Sequence, residues 1–295
     1  MFKTTARTPA DQSRWLRRGD LLEEGWTPGR IRKAVAGDLL LRPREGVYLP
    51  SDAPGDVVDA CRVGGRLGCV SALAHHGIFV MTATALHVQL PPNASRLREV
   101  ARPLRLHWER LLRSPHPQAV AIEVFDALVQ GVRCQSPRAS VATIDSALHL
   151  GLLRRDELEE LFDALPRRYS RLRPLLDSRS ESGPESLMRL ILRALGVPFE
   201  VQVRVPGVGR VDFLVAGWLI IECDSREHHA DWESQRRDRR RDLAAARSGL
   251  VTFRVIAEDI LWHPDEVRAA LACLVRSRRA AGDRTGFRKH AVALG

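Results

Sequence analysis

The sequence is poor in lysine and has no long apolar segment. Lys3, Lys33 and Lys289 are its only lysines, so its positive charge is almost all arginine. No apolar run is long enough to cross a bilayer, and the N-terminus carries no signal-peptide pattern. We therefore predict a cytoplasmic protein with no membrane partner.

The cysteines also lack any close pairing. The chain has no Cys-x-x-Cys pair, and its five cysteines are scattered: Cys61, Cys69, Cys134, Cys223 and Cys273. This spacing argues against a disulfide framework and against a zinc site of the cysteine type, and it suits a reducing compartment. His75 and His76 have no cysteine or carboxylate beside them in sequence, so we assign them no chemistry.

The overall balance of charge is strongly basic. The formal net charge is +10 over 295 residues, which predicts a polyanionic partner, either nucleic acid or an acidic membrane surface. A membrane surface would not explain the acids in the strands described below, so DNA is favoured. The preference for arginine could reflect genome base composition as easily as phosphate recognition. The length allows two or three small domains, and the proportions of hydrophobic and charged residues are those of a globular protein.

Residues 1–50 predict two short helices and a β-hairpin. Thr27-Pro28 is an N-cap followed by proline at the first helical position, and Gly37 ends that helix. The segments 39–41 and 47–49 predict the two strands of the hairpin, around a turn at 42–46.

This outline, with Gly46-Val47-Tyr48 after the hairpin turn, resembles the N-terminal winged-helix module of AbiEi-type antitoxins and related transcriptional regulators. The resemblance implies DNA binding. The alternative is a small helical domain with a solvated basic face. The candidate DNA contacts are Arg30, Arg32, Lys33 and Arg44.

Residues 56–179 predict a mixed α/β middle domain, which also resembles the central part of AbiEi-like proteins. Strands are predicted at 86–90 and 104–108, and amphipathic helices at 140–150 and 155–165. The polar, breaker-rich stretch 177–184 predicts a linker.

Residues 181–280 predict a third domain, followed by a basic tail at 281–295. Its elements follow the order helix, three strands, arginine-rich helix, strand, helix. They are predicted at 184–195, 199–205, 211–215, 219–223, 231–247, 251–256 and 264–276.

Acids interrupt the apolar strands of this domain at Asp212, Glu222 and Asp224. Unpaired buried charge is costly, so a divalent cation is expected to compensate it. Asp212 and Glu222 can bind Mg²⁺ together only if they share a face of the sheet. A two-residue turn at Ala216-Gly217 would place them on opposite faces, whereas a three-residue connection would put them opposite each other, about 5 Å apart. A metal site therefore predicts the longer turn.

The order of elements, with acids on the second and third strands, resembles the PD-(D/E)xK nuclease fold. More narrowly, it resembles an uncharacterised domain family related to very-short-patch-repair (Vsr) endonucleases. The residues that carry the match are Glu185, Val211-Asp212-Phe213, Ile221-Glu222-Cys-Asp224, His228-His229, Arg237-Asp238 and Thr252-Phe-Arg254.

The resemblance implies a restriction-endonuclease-like αβββαβ domain that binds Mg²⁺ (or Mn²⁺). Asp212, Glu222 and the backbone carbonyl of Cys223 would hold the metal, with Glu185 as an outer ligand. Asp224 stands where the broader pattern has lysine, so the resemblance suggests His229, or else His228, as the general base.

Two of these assignments have a simpler alternative. An acid at position 185 also stabilises the first turn of its helix without any catalytic role. Arg237 could bind phosphate, or the arginines of its helix could pair with Asp238 and Asp242 along the helix.

The sequence predicts a metal-dependent DNA endonuclease or nickase that a winged helix directs to DNA. The alternative is a catalytically silent DNA-binding regulator, similar to an antitoxin.

Overall fold

The computed structural model describes residues 14–224 and 232–291. Over these residues the protein is mixed α/β, with helices and three small sheets. The chain divides into two compact units, Met1–Pro174 and Leu175–Gly295. In the described ranges, none of the helices combines the length and the apolarity needed to span a membrane.

The first unit opens with helices α1 (Arg18–Glu23) and α2 (Pro28–Ala36) and a hairpin of strands β1 (Leu40–Arg44) and β2 (Val47–Pro50). The predicted caps of α2 are confirmed. The hydroxyl oxygen of Thr27 accepts a hydrogen bond from the backbone N–H of Arg30 at 3.1 Å, and Gly37 is the C-cap. A hydrophobic cluster joins these elements: Leu21, Ile31, Ala34, Leu40 and Tyr48.

The hairpin turn is shorter than predicted. Strand β1 continues to Arg44, which pairs with Val47, so the turn is Glu45-Gly46 rather than the whole segment 42–46. Gly46 supplies the left-handed conformation that this turn requires, with φ at 75°. The ladder is irregular between Leu41 and Arg44, where Pro43 has no N–H to donate.

The rest of the first unit packs helices against a three-stranded sheet. Strand β4 pairs antiparallel with β3 and parallel with β5. The predicted strands and helices of this region are present with small shifts of their ends, whereas α3, α5 and the short strand β3 were not predicted. The elements are α3 (Gly55–Val63), β3 (Arg66–Leu67), α4 (Cys69–His75), β4 (Leu86–Gln89), β5 (Leu104–His107), α5 (Val124–Cys134), α6 (Pro137–His149), α7 (Glu157–Asp163) and a 3₁₀ helix (Arg167–Leu175).

The second unit contains a four-stranded sheet in the order β6-β7-β8-β9. The first three strands are antiparallel neighbours, and β8 and β9 are parallel. The predicted order of elements is confirmed, with one further helix, α10, after β9. The elements are α8 (Gly183–Leu195), β6 (Phe199–Val205), β7 (Gly209–Val215), β8 (Leu219–Asp224), α9 (Trp232–Arg247), β9 (Val251–Ile256), α10 (Ala257–Trp262) and α11 (Pro264–Ala291).

Helix α11 is longer than the predicted helix 264–276, and it continues into the segment assigned to a basic tail. The core of this unit forms where the apolar faces of its helices pack against the sheet. Ala245 of α9 packs against Val211 and Ile220 of the sheet. Helix α8 buries Leu187 and Met188, begins at the N-cap Ser182 and ends at the left-handed Gly196.

Candidate metal and catalytic site

The connection between β7 and β8 has the longer of the two lengths considered from the sequence. Val215 pairs with Leu219, so Ala216, Gly217 and Trp218 form a three-residue turn. Ala216 and Gly217 both have left-handed backbones, at φ values of 49° and 72°, and the N–H of Trp218 donates to the carbonyl of Val215. The condition that a shared metal site imposed on the turn is therefore met.

This turn sets the register of the acids. Phe213 pairs with Ile221, and continuing the ladder by one pair places Asp212 opposite Glu222. On one side of this pair, Gln202 of β6 stands opposite Asp212, between two regular pairs of the β6–β7 ladder. On the other side, Glu222 pairs with Arg254 of β9. Four polar residues thus form a row across the sheet, which we call the polar row: Gln202, Asp212, Glu222 and Arg254.

Asp212 is held by hydrogen-bond donors. The backbone N–H of Cys223 donates to its Oδ2 at 2.8 Å, and the nearby amide of Gln202 also favours the ionised form of Asp212. Burial nevertheless raises the pKa of the Asp212 carboxyl above its usual range, and the nearby charge of Glu181 adds to that effect. The hydrogen bonds to Asp212 therefore offset only part of the cost of burying its charge. A bound cation would offset the rest.

Glu222 is buried, and one of its oxygens contacts a guanidinium. Nη2 of Arg241 lies 2.8 Å from Oε1 of Glu222. Arg241 also donates to the backbone carbonyls of Val208 and Arg210, so helix α9 is fixed over the end of the sheet. Burial and then repulsion from Asp212 raise the pKa of Glu222, and Arg241 and Arg254 only partly offset this rise.

Glu185 stabilises the start of its helix and also contacts the polar row. It lies in the first turn of α8, where its oxygens accept hydrogen bonds from the N–H of Glu181 and the hydroxyl of Ser182, each at 2.9 Å. It also accepts a hydrogen bond from Nε2 of Gln202 at 2.7 Å. Burial, with repulsion from Asp212, raises the pKa of Glu185. The same carboxylate therefore stabilises the start of the helix and contacts the polar row.

Gln202 is a site residue that the sequence analysis missed. Its backbone is left-handed, with φ at 53°, an uncommon conformation for a non-glycine residue inside a strand. Because Nε2 donates to Glu185, the orientation of the amide is determined, and its Oε1 is buried with no hydrogen-bond partner among the described residues. A polar residue between Val201 and Val203 was the signal in the sequence.

Asp224 and Cys223 lie at the end of β8. Asp224 is exposed, and its carboxylate is 3.6 Å from the guanidinium of Arg254. Burial and the surrounding carboxylates raise the pKa of the Cys223 thiol well above its usual range, which keeps that thiol protonated. Position 224 is an acid where the resemblance would place a lysine. The positive charge near the acids comes instead from Arg241 and Arg254.

The donor set fits a hard divalent cation. Asp212 and Glu222 offer carboxylate oxygens from opposed strand positions, and Glu185 adds negative charge beside them. Mg²⁺ prefers oxygen ligands and typically takes one or two carboxylates. The two histidines predicted as general base, His228 and His229, lie outside the described residues.

The predicted nucleic-acid contacts of α2 lie on the surface. Arg30, Arg32 and Lys33 are exposed, and the guanidinium of Arg30 stacks 4.1 Å from the ring centroid of Trp26. Arg44 differs from this pattern, because it is half-buried and its Nη1 lies 3.5 Å from the carbonyl of Val63 at the end of α3.

On helix α9, Arg237 is exposed as a phosphate contact requires. Asp238 lies 3.9 Å from Nη1 of Arg241, which agrees with the alternative of pairing along the helix. Asp242 contacts Nη2 of Arg254 at 2.9 Å. The acids of α9 therefore hold the arginines near the polar row.

Comparison with known proteins adds relatives but no activity. No family model matches the chain. The chain is 31% identical over 183 residues to two proteins of Mycobacterium tuberculosis, the uncharacterized protein MT2308 of strain CDC 1551 / Oshkosh and the uncharacterized protein Rv2248 of strain ATCC 25618 / H37Rv. The match covers 56% of this chain and 63% of each relative, so it spans less than two thirds of their length.

Proposed function

We propose that the protein is a metal-dependent DNA endonuclease or nickase. The observation that carries the proposal is the opposition of Asp212 and Glu222 across β7 and β8, with Glu185 connected to them through Gln202. Burial raises the pKa of Asp212, Glu222 and Glu185, and the charge of Asp212 adds to the rise at the other two. A cation bound between them would remove the cost of burying these charges.

The residues of the chain take distinct parts in the proposed reaction. Asp212, Glu222 and the backbone carbonyl of Cys223 would hold Mg²⁺ or Mn²⁺, and Gln202 and Glu185 would orient the Asp212 side. The bound cation supplies polarisation of the phosphoryl group and a lower pKa for the attacking water. The resemblance to Vsr-related nucleases assigns the proton transfer to His229 or His228.

Arginines near the acids are suited to hold the DNA backbone. Arg241 and Arg254 contact the acids directly, and Arg237 is exposed on the same helix as Arg241. Guanidinium groups bind phosphate oxygens through charge-assisted hydrogen bonds. In the first unit, the exposed Arg30 and Lys33 of α2 suit groove entry by a winged-helix module, in which the β1–β2 hairpin is the wing.

A second function is favoured by a specific observation. Glu222 already has a cationic partner in Arg241, and Asp224 occupies the place of the lysine in the broader nuclease pattern. A site that is neutralised by arginine and lacks that lysine suits a DNA-binding regulator whose nuclease fold is catalytically silent.

Plasmid cleavage tests the first function. Supercoiled plasmid is incubated with the full chain and Mg²⁺ or Mn²⁺, alongside the variants Asp212→Ala and Glu222→Ala. Glu200→Ala is the matched control, because Glu200 is an exposed acid on β6 that is not part of the polar row. We expect nicked or linear product from wild type and Glu200→Ala, and a loss of at least about 100-fold in the other two, the usual range for a positioned catalytic group.

The same experiment separates the two functions. If wild type leaves the plasmid intact with either metal, or if all four proteins cut equally, the endonuclease proposal is wrong. If a gel-shift assay shows that the protein nevertheless binds the intact plasmid, that result supports the regulator proposal.

A further inference from the structure

Four potential metal ligands converge in the first unit, far from the polar row in sequence. They come from the start of α4, the middle of β4, the end of β5 and the end of α5. Their ligand atoms all lie within 4.8 Å of one another. We call these residues the Cys/His cluster: Cys69, His87, His107 and Cys134.

The parallel pairing of β4 and β5 brings the two histidines together. His107 pairs with Gln89, two residues along from His87, so both rings project from one face of the sheet. The rings stack with centroids 5.3 Å apart, and Nδ1 of His87 lies 3.1 Å from Nε2 of His107. Both side chains are buried, at 8% and 7% exposure.

The two cysteines are placed by helices that pack against each other. Cys69 begins α4 with a left-handed backbone, φ 49°, and its N–H donates to Oε1 of Gln130 on α5 at 2.9 Å. Gly68, just before it, donates its N–H to the carbonyl of His87. Cys134 is the last residue of α5 and is half-buried. The hydrogen bonds to Gln130 and His87 hold Cys69 in this uncommon backbone conformation. The conformation is therefore consistent with a functional requirement for the position of the Cys69 side chain.

We propose that the Cys/His cluster binds one Zn²⁺ ion in a closed, structural site. Two thiolates and two imidazoles are a donor set typical of tetrahedral zinc, and soft sulfur ligands disfavour Mg²⁺ or Ca²⁺. Zinc–sulfur bonds of about 2.3 Å and zinc–nitrogen bonds of about 2.0 Å put tetrahedral ligand atoms roughly 3.3–3.8 Å apart. The separations within the cluster bracket that range, so binding requires only small side-chain adjustments.

The surroundings of the cluster suit a bound metal. The outer nitrogen of His107, Nδ1, lies 3.6 Å from a carboxylate oxygen of Glu109, so a small movement of either side chain would form the hydrogen bond that orients zinc-binding histidines. Because four protein side chains fill the coordination sphere, the ion would join α4 and α5 to the sheet and would leave no open position for catalysis.

The zinc proposal differs from the prediction made from cysteine spacing. That prediction rested on the absence of a Cys-x-x-Cys pair, which is the usual signature of a contiguous zinc motif. The Cys/His cluster instead takes single ligands from four separate elements. The cluster lies in the first unit, so the zinc proposal is independent of the nuclease proposal, which concerns the second unit.

Metal analysis of the full chain, purified without a histidine tag from zinc-supplemented medium, tests the site. We expect about one zinc ion per chain, the stoichiometry of a single tetrahedral site. Cobalt exchanged into the metal-stripped wild-type protein should show thiolate-to-cobalt charge-transfer absorption and the intense d–d bands of tetrahedral Co²⁺. This spectrum needs no variant, so it does not depend on how well a substituted chain folds.

Variants then locate the metal. Cys69→Ser and Cys134→Ser should each lose most of the bound zinc and the cobalt charge-transfer intensity. Cys61→Ser is the matched control, because Cys61 is a buried cysteine of the same unit outside the cluster, and it should retain both. Metal-free wild-type protein without the cobalt bands, zinc retained in both cluster variants, or a disulfide between Cys69 and Cys134 would each overturn the proposal.

Discussion

At the scale of single residues, the acids of the polar row are compensated to different degrees. Glu222 is paired with the guanidinium of Arg241, whereas Asp212 is held by a backbone N–H and by Gln202. Neutral donors stabilise a carboxylate less than a cation does, and burial raises the pKa of both acids. Among the described residues, no ion pair compensates the charge of Asp212.

We expect Asp212→Asn to stabilise the metal-free protein. The amide keeps an oxygen to accept the N–H of Cys223 and removes a buried charge, for a gain of about 1 kcal/mol and a Tm higher by a few degrees. Addition of Mg²⁺ should raise the Tm of wild type but not of the variant, since the variant has lost a ligand. Thermal unfolding in EDTA and in Mg²⁺ measures both effects.

The matched control for this prediction is Glu200→Gln, which neutralises an exposed acid on the same sheet. Its Tm should follow wild type in both buffers. A lower Tm for Asp212→Asn in EDTA, or an equal response to Mg²⁺ in all three proteins, would contradict the assignment of Asp212 as an under-compensated metal ligand.

His75 provides a pH-dependent contribution to the stability of the first unit. Burial and the neighbouring His76 lower the pKa of His75, so the unfolded chain binds a proton more readily than the folded one. The contribution is complete above the unfolded pKa of about 6.5 and is lost as the pH falls through the folded pKa. We expect the Tm of wild type to fall more steeply than that of His75→Gln between pH 7.5 and 5.5, and parallel curves would refute this.

At the scale of secondary-structure elements, the β7–β8 turn determines whether a metal site can exist. One residue fewer would shift the register by one position and send Glu222 to the opposite face from Asp212. The left-handed backbones of Ala216 and Gly217 accommodate the longer connection. The conformation of a short turn, rather than the apolar pattern of its strands, thus assembles the candidate site.

Gly65, in the connection after α3, packs closely against β4, and a side chain at this position should destabilise the fold. A Cβ added at Gly65 would lie 2.3 Å from the backbone carbonyl oxygen of Gln89 and 2.6 Å from a methyl carbon of Val88. Because backbone cannot rotate away, Gly65→Ala must displace β4, the strand that carries His87. We expect a loss of about 1–3 kcal/mol in the free energy of unfolding, as for other overpacked sites.

Urea unfolding checks this prediction against Gly55→Ala. Gly55 begins α3, and a Cβ there would meet nothing within 4 Å, so alanine should be neutral or slightly stabilising. Equal midpoints for the two variants would show that β4 does not approach Gly65 as closely as the structure describes.

At the scale of the whole molecule, the net charge of +10 makes any DNA complex sensitive to salt. Phosphate contacts release condensed counterions, so the logarithm of the binding constant falls linearly with the logarithm of salt concentration. If Arg237 contacts a phosphate, Arg237→Ala should reduce the magnitude of that slope by about 1. Fluorescence anisotropy with a labelled duplex between 50 and 200 mM salt measures it.

Arg154→Ala is the control for charge alone. Arg154 is exposed and paired with Asp156 in the first unit, so its loss changes the net charge by the same amount without removing the proposed contact. Its salt slope should match wild type. Identical slopes for Arg237→Ala and wild type would remove Arg237 from the DNA interface.

Local patterns in the sequence determined much of the second unit and of α2. Strand and helix periodicity predicted the bounds of β6 and β9, and Thr27 and Gly37 predicted helix ends that the structure confirms. Caps, turns and apolar periodicity act over a few neighbouring residues, which is why a single sequence shows them. Asp212 and Glu222 stood out for the same reason, as charges inside apolar strands.

Tertiary structure alone decided which distant residues meet. The position of Gln202 beside Glu185 and Asp212 depends on strand register and on the left-handed backbone of Gln202. No local sequence pattern predicts that backbone conformation. The Cys/His cluster depends on the pairing of β4 with β5 and on the packing of α4 against α5. These contacts are long-range in sequence, so residue spacing could predict an acidic site within one hairpin but not a zinc site drawn from four separate elements.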